Sequence, residues 1–414
     1  MSNSITASIL KFYGPSLPNR DDSGDAKQII VGGTTRSRIS SQCLKRAIRQ
    51  TMDISDFRSS HLEDLVESIL LKKFEGKDMK QEQIDKIGST VCTLIGCDWD
   101  KKASAAKKKA SDKKKGSEEG ASGDAEAKGR TVVVASSEEI STIVDAALNA
   151  SEDKMESAAR NALKTIRMTK DKALFGTMVA SKGCVLESVD GAVQVSQTYS
   201  IDEYVPESDY IIAAFADGSV DESDPFFGDY KAFTETESKQ SRANAIADSW
   251  MYSNIMYSHT SVNIKELMRN LSTSAAGNLV VENPNIKDET KELVSGYVSA
   301  FATTEPFAKQ NSMSSHSAPA ILYVEAIKNG SEQYASFDKA IRNEDDLGVI
   351  EQGIEKILDF ASDDTFRTGE IKRYVLLSRP YKGYEKDFEA IGITVLNNLK
   401  ELNKVLGEEI ERLS

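Results

Sequence analysis

The stretch on which the reading turns is GGTTRSRISSQCLKRAIR, Gly32 to Arg49. It holds Arg36, Arg38, Lys45, Arg46 and Arg49 and no acidic residue. Ser40 or Ser41 is a good N-cap for a helix through QCLKRAIRQTM. On that helix Leu44, Ala47, Ile48 and Met52 share one face, and Lys45, Arg46 and Arg49 share another. Like charges three or four residues apart cost a few tenths of a kcal/mol each. The helix start adds free N–H groups and the positive end of the dipole. A chain of phosphates would offset both costs. A solvated face with ordinary ion pairs, helped by the acids Asp21, Asp22 and Asp25 just upstream, explains the pattern equally well. The glycine pair belongs to no GxxxxGK[ST] or GxGxxG, so a nucleotide-binding loop is only weakly signalled.

The rest of the chain is acidic. Its 414 residues carry a formal charge of −13. Residues 1–50 have eight Lys/Arg against three Asp, a net of +5, which leaves −18 for the remainder. That balance argues against indiscriminate nucleic-acid binding but leaves room for a local basic site, because salt confines surface fields to roughly 8–10 Å. No run of eighteen apolar residues signals a membrane span, and MSNSITASILKFYG lacks the features of a secretion signal. Cys43, Cys92, Cys97 and Cys184 match no zinc spacing and are too sparse for a disulfide framework. The expectation is a cytoplasmic protein with reduced thiols and no membrane partner.

Outward from the basic stretch, SITASILKFYG reads as a first strand, PSLPNRDD as a loop and QIIVGG as a second strand. Residues 56–170 read as mostly helical: HLEDLVESILLKKF, KQEQIDKIGSTVCTLI, EEISTIVDAALNA and MESAARNALKTIRM. Inside them, residues 101–130 have no aliphatic side chain larger than Ala and read as a disordered, Lys-rich loop. ALFGTMVAS is read as opening a strand-rich half. AVQVSQTYSI and SWMYSNIMYSHTSVNI read as two strands flanking a polar, acidic excursion, which suggests a protruding hairpin. KELVSGYVSAFAT is a helix, APAILYVEAI a buried strand, QGIEKILDFASD a helix and IKRYVLLS a strand. FEAIGITVLNNLKELNKVLGEEIERL reads as one long amphipathic helix. The order points to an α+β fold around a ferredoxin-like core.

Catalytic patterns are sparse. His61, His259 and His316 are far apart, HExxH, GxSxG and HxD are missing, and Ser40–Lys45 is not an SxxK. Asp21–Asp22 could hold a metal, although a loop acid pair more often caps a turn. The expectation is no catalytic residue, no metal and no cofactor. Trp250, Met251, Tyr252, Met256 and Tyr257 offer either a base-stacking face or a hydrophobic packing face.

Several of these segments, taken together, resemble a known family. Asn19-Arg20-Asp21-Asp22, Gly32-Gly33, Arg38-Ile39-Ser40-Ser41-Gln42 and Leu44-Lys45-Arg46-Ala47 are similar to the start of the backbone subunit of the type I-E CRISPR Cascade complex, the CasC family. ALFGTM (Ala173–Met178), VDGA (Val189–Ala192) and ATTEPFAKQNS (Ala302–Ser312) follow in the family's order. The resemblance implies a modified ferredoxin-like (RRM-type) palm in three parts, 1–55, 171–188 and 265–414. It also implies a helical fingers insertion at 56–170 and a β-hairpin thumb at 189–264. It implies a non-catalytic scaffold that stacks in several copies along crRNA, beside other Cascade subunits, and leaves the bases open for target DNA. On this chain the implied RNA contacts are Arg20, Lys27, Arg38, Ser40, Gln42, Lys45, Arg46 and Arg49, with Met178 as an apolar wedge beside a displaced base. Thr177 stands where better-known members carry a basic residue. The lysines of the loop, Lys107, Lys108, Lys109, Lys113, Lys114 and Lys115, are the candidate contacts to target duplex DNA. Two alternatives are a stand-alone RRM-like RNA-binding protein and a CRISPR RNA-processing endoribonuclease. The latter needs a general acid/base, usually His, and the basic segment has none.

Overall fold

The computed structural model describes residues 2–21, 24–59, 61–74, 81–99, 132–179, 184–212, 246–277, 279–308, 310–342 and 347–414. Strand β1 (Ser2–Ser16) is the spine of the sheet. It pairs antiparallel with β9 (Ile246–Asn263) on one side and β10 (Pro319–Gly330) on the other. β11 (Glu370–Leu377) extends the sheet from β10, and the short β12 (Thr394–Val395) follows in parallel. On the other flank, β7 (Thr198–Ser200) joins β9 to a hairpin of β3 (Thr34–Ile39) and β2 (Gln28–Val31). β6 (Val193–Val195) and β8 (Glu207–Ile212) also pair with β9. The hairpin turn is Gly32-Gly33, both at positive φ (58° and 79°), the geometry of a tight two-residue loop that glycine adopts freely.

A central strand is buried on both faces, and β1 shows how. Ile5, Ala7 and Ile9 pack into one core with five helices. These are α1 (Ser41–Thr51), α6 (Lys170–Phe175), α7 (Ile264–Leu271), α8 (Ile286–Thr303) and α12 (Leu399–Leu413). Leu10 points the other way, to Tyr257, Tyr323 and Phe337 under α10 (Val349–Ser362). The architecture is α+β, as expected. The helices of the insertion are α2 (Glu63–Lys73), α3 (Gln81–Ile95), α4 (Ser137–Asn149) and α5 (Met155–Leu163). They form a core of their own with β5 (Val133–Ala135), which pairs with β4 (Phe57–Ser59).

Two expectations need correction. ALFG ends a short helix, α6 (Lys170–Phe175), instead of opening a strand. Thr169 caps it by accepting from the Lys172 N–H, and Gly176 stops it at φ +70°. The long C-terminal helix is broken: α11 (Glu385–Ala390) ends before Gly392 (φ +80°), and α12 restarts where the Asn398 side chain accepts from the N–H groups of Lys400 and Glu401. TTRSRI, which has no apolar alternation, is a strand. The segment expected to project as a thumb, 189–264, is only partly outside the sheet. β6, β7 and residues 252–263 of β9 belong to the main sheet; β9 extends beyond Tyr252, its last residue paired with β1 (to Ser16), and pairs there with β8. The excursion beyond Ile212 and the Lys-rich loop, with Lys107, Lys108, Lys109, Lys113, Lys114 and Lys115, lie outside the described residues. α9 (Gln310–Met313) is a single turn.

Candidate nucleic-acid interface

Helix α1 starts as its sequence dictates. The Ser40 side chain accepts from the Cys43 N–H at 3.3 Å. The preceding loop is tied to this start: Ser40 N donates to Asn19 Oδ1 (2.8 Å), Lys27 N to Asn19 O (3.1 Å) and Arg38 N to Lys27 O (2.9 Å). Arg20 is bridged to Ala26 within the same loop. Asp21 Oδ1 accepts from Asp25 N, so the acid that might have bound a metal closes a turn. Arg20, Lys27, Arg38, Ser40 and Gln42 are therefore gathered around one helix N-terminus. Burial pushes the Cys43 thiol up, and the nearby Arg46 and Lys27 pull it down, which puts those two cations beside the same turn.

One turn further along α1 the charges are arranged differently. Lys45 and Arg46 form no ion pair among the described residues. Lys45 is pushed below the usual lysine range by burial first, then by the cations Arg49 and Arg58. Arg49 is not the free cation that its sequence suggests. Its Nε stands 3.8 Å from the buried carboxylate of Asp171, and its guanidinium lies over the Phe175 ring at 5.3 Å. Asp171 also accepts from Arg58 Nη2 (2.5 Å) and from the Asp56 N–H (2.9 Å). One carboxylate thus holds two arginines, and net positive charge remains around Lys45.

Arg58 is the residue that sequence reading missed. It sits in DFRSS, outside the basic stretch, and its partner Asp171 is 113 residues away. It also reaches the Gly176 carbonyl (3.4 Å) and so ties Asp171, the carboxylate beside Arg49 of α1, to the turn that carries Met178. Met178 is 83% exposed, which excludes the core role common for methionine. The aromatic run went the other way: Tyr252, Met256 and Tyr257 are buried core, not a stacking face. Gln197 was also missed. Its Oε1 accepts from Arg38 Nε (3.0 Å) and its amide bonds Ser41 Oγ (3.4 Å) at the start of α1.

The strip can grip an anionic chain: unpaired Lys45 and Arg46, exposed Gln42, the capped helix start, and an exposed apolar tip at Met178. No group of three or more His, Cys, Asp or Glu among the described residues is placed to hold a metal ion. His61 contacts Glu63 near the start of α2, and His259 is buried elsewhere. No described helix is long and apolar enough to cross a membrane.

A basic helix start on a mixed sheet with a helical insertion defines a class that comparisons make specific. The fold is similar to that of a chain from a CRISPR RNA-guided surveillance complex, pre-nicking (TM-score 0.66, 16% identity, covering 98% of this chain and 100% of that one). A chain from another CRISPR RNA-guided surveillance complex is similar as well (TM-score 0.59, 16% identity, 98% and 99% covered). No curated protein sequence matches. The family model of the CT1975-like proteins matches residues 5–404, and the chain belongs to that family.

Proposed function

We propose that the protein is a non-catalytic scaffold subunit of a CRISPR RNA-guided surveillance complex of the Cascade type. In this reading it holds crRNA by its backbone, stacks in copies along it, and leaves the bases free to pair with target DNA. The observation that carries the proposal is the cation strip on α1, where Lys45 and Arg46 lack acidic partners among the described residues of an otherwise acidic protein. Phosphate contacts position a nucleic acid without reading it, and specificity is then delegated to base pairing. The similarity to chains of RNA-guided complexes supports the choice of RNA, and the type I-E assignment rests on the sequence resemblance. The β8–β9 extension is the candidate contact between copies.

The test is the salt dependence of binding to unrelated single-stranded RNAs. Replacing Lys45 and Arg46 with Ala should weaken all of them alike and reduce the log–log salt slope by roughly 0.7 per lost phosphate contact. Unchanged affinity and slope would reduce the strip to a solvated surface. Cleavage of precursor CRISPR RNA by the purified chain, in place of protection, would favour the nuclease.

A further inference from the structure

On the far side of Gln197 from α1 lies a cavity of about 660 Å³, between β6–β7, the β2 edge and the loop after β10. We propose that this cavity takes one base of the bound RNA, stacked on Tyr334 and held at its edge by amide and carboxylate groups. The proposal rests on the RNA-binding reading above.

The walls have the mixed character a base needs. Tyr334 is 54% exposed; its ring lies against His259 at 5.2 Å with a 32° tilt, so one face is supported and open π surface remains. Tyr199 contributes a second, half-buried ring. His259 is fixed by Ser8 Oγ on Nδ1 (2.9 Å), and Ser8 in turn meets the Tyr257 hydroxyl (3.2 Å). Burial pushes the imidazole down to about 4, so it is neutral at physiological pH. Glu332 and Asp338 line the cavity, and no Lys or Arg does. A phosphate is therefore excluded, while Gln194 and Gln333 supply groups that both donate and accept.

The carboxylates do not form an open cation trap. Glu332 accepts from Ser2 Oγ at 3.0 Å. Asp338 acts on the guanidinium of Arg36, which is fully buried and bonded only through Nη1 to the Ser200 carbonyl (2.8 Å), with Nε and Nη2 unpartnered. That internal cation, shared with Asp202 and Glu203, offsets part of the Asp338 charge and favours a neutral planar ligand over a basic side chain from a protein partner. Location supplies the link to RNA: Gln197 lines the cavity, and its side chain bonds Arg38 and Ser41 at the phosphate-gripping helix start. Stacking tolerates any base, but carboxylate acceptors suit the amino groups of adenine, cytosine and guanine better than uracil.

The test uses the full chain and short fluorescein-labelled adenylate, cytidylate and uridylate homopolymers at several salt concentrations. Tyr334→Ala should weaken binding about 5- to 20-fold with no change in salt slope, the expected loss of one stacked base. Tyr334→Phe should bind as wild type, and Tyr334→Trp should show indole emission quenched by RNA. The double variant Glu332→Gln/Asp338→Asn should lose a several-fold preference against uridylate. If Tyr334→Ala binds like wild type while Lys45→Ala loses affinity and slope, the base pocket is wrong and the phosphate strip stands. If the wild type binds no RNA, both fall. If Tyr334→Ala abolishes binding of an arginine-rich peptide and leaves RNA unaffected, the cavity is a protein-docking site and the proposal is overturned.

Discussion

Helices α1 and α4 begin alike and diverge at once. Each has a serine cap, Ser40 in one and Ser136 in the other. In α4 the first turn carries Glu138 and Glu139; Glu139 completes a capping box and also bonds the buried Lys172 ammonium through both oxygens, at 2.5 and 2.6 Å. Both acids there agree with the dipole, and the buried one is fully partnered. In α1 the first turn has no acid, and cations crowd the turns that follow. Lys45 is held below the usual lysine range by burial first and then by the cations Arg49 and Arg58. One helix start is built to hold the fold together, and the other keeps positive charge that nothing in the described chain neutralises. The contrast locates function on α1.

The largest effect should come from breaking the satisfied site. Glu139→Ala leaves Lys172 buried and unpaired and removes the capping box. A cost of about 3–5 kcal/mol is expected, read as a drop in the urea unfolding midpoint. Lys45→Ala, by comparison, should move stability by less than about 0.5 kcal/mol. Equal losses in the two variants would erase the distinction drawn between the helices.

Next in size is a pH effect at the cavity. His259 is held at about 4 in the folded protein by burial, against an ordinary value of 6.5. Between those values the unfolded chain binds the proton and the folded one does not, so stability falls as pH drops through that window. At pH 5 the loss relative to neutral pH is about 2 kcal/mol. Asp56 works in the opposite direction. Burial raises it to about 6, so folding takes up a proton there and acidification through 6 relieves a cost. Comparing wild type with His259→Gln cancels the Asp56 contribution. A variant as acid-sensitive as wild type would show that His259 is not the group responsible.

What could be read in advance follows how local each interaction is. Ser40, Leu44, Ala47 and Ile48 sit within one helix, and periodicity and capping declared them. Arg58 and Asp171 are legible only together, and the fold brings them together. Arg36 lies in a strand with no apolar alternation, and its burial depends on Ser200, 164 residues on. The aromatic run near Tyr257 alternates as any strand does; which face is buried was decided by pairing with β1 and cover from Phe337. In the C-terminal break the signals were present in Gly392 and Asn398, but the apolar residues around them carried a helical pattern across it.

A smaller effect would come from making α1 resemble α4. Gln42 is exposed in the first turn, and Gln42→Glu supplies the acid that the dipole favours. Stability should rise by about 0.3–1 kcal/mol, measured by thermal or urea unfolding. RNA affinity should fall several-fold at low salt, and the difference should shrink as salt is added. A variant that gained stability with no loss of RNA binding would move the phosphate path away from the helix start.

The smallest expected change in stability is at Met178, where the contrast between holding and presenting is sharpest within a few residues. The backbone there is locked. Thr177 and Val189 exchange hydrogen bonds at 2.8 and 3.0 Å. Gly176 and Gly191 are in such close approach that a Cβ on Gly176 would fall 2.6 Å from both Gly191 N and Val189 O. Arg58 ties the same turn to Asp171. The Met178 side chain, by contrast, projects into solvent. Truncating a buried methionine costs about 2–5 kcal/mol; Met178→Ala should cost less than about 0.5. If the side chain wedges beside an unstacked base, the same variant should flatten the periodic chemical reactivity of bound RNA. Met178→Leu, which keeps the apolar bulk, should preserve it. A stability loss without a change in RNA reactivity would return Met178 to a packing role and leave the turn with no part in the interface.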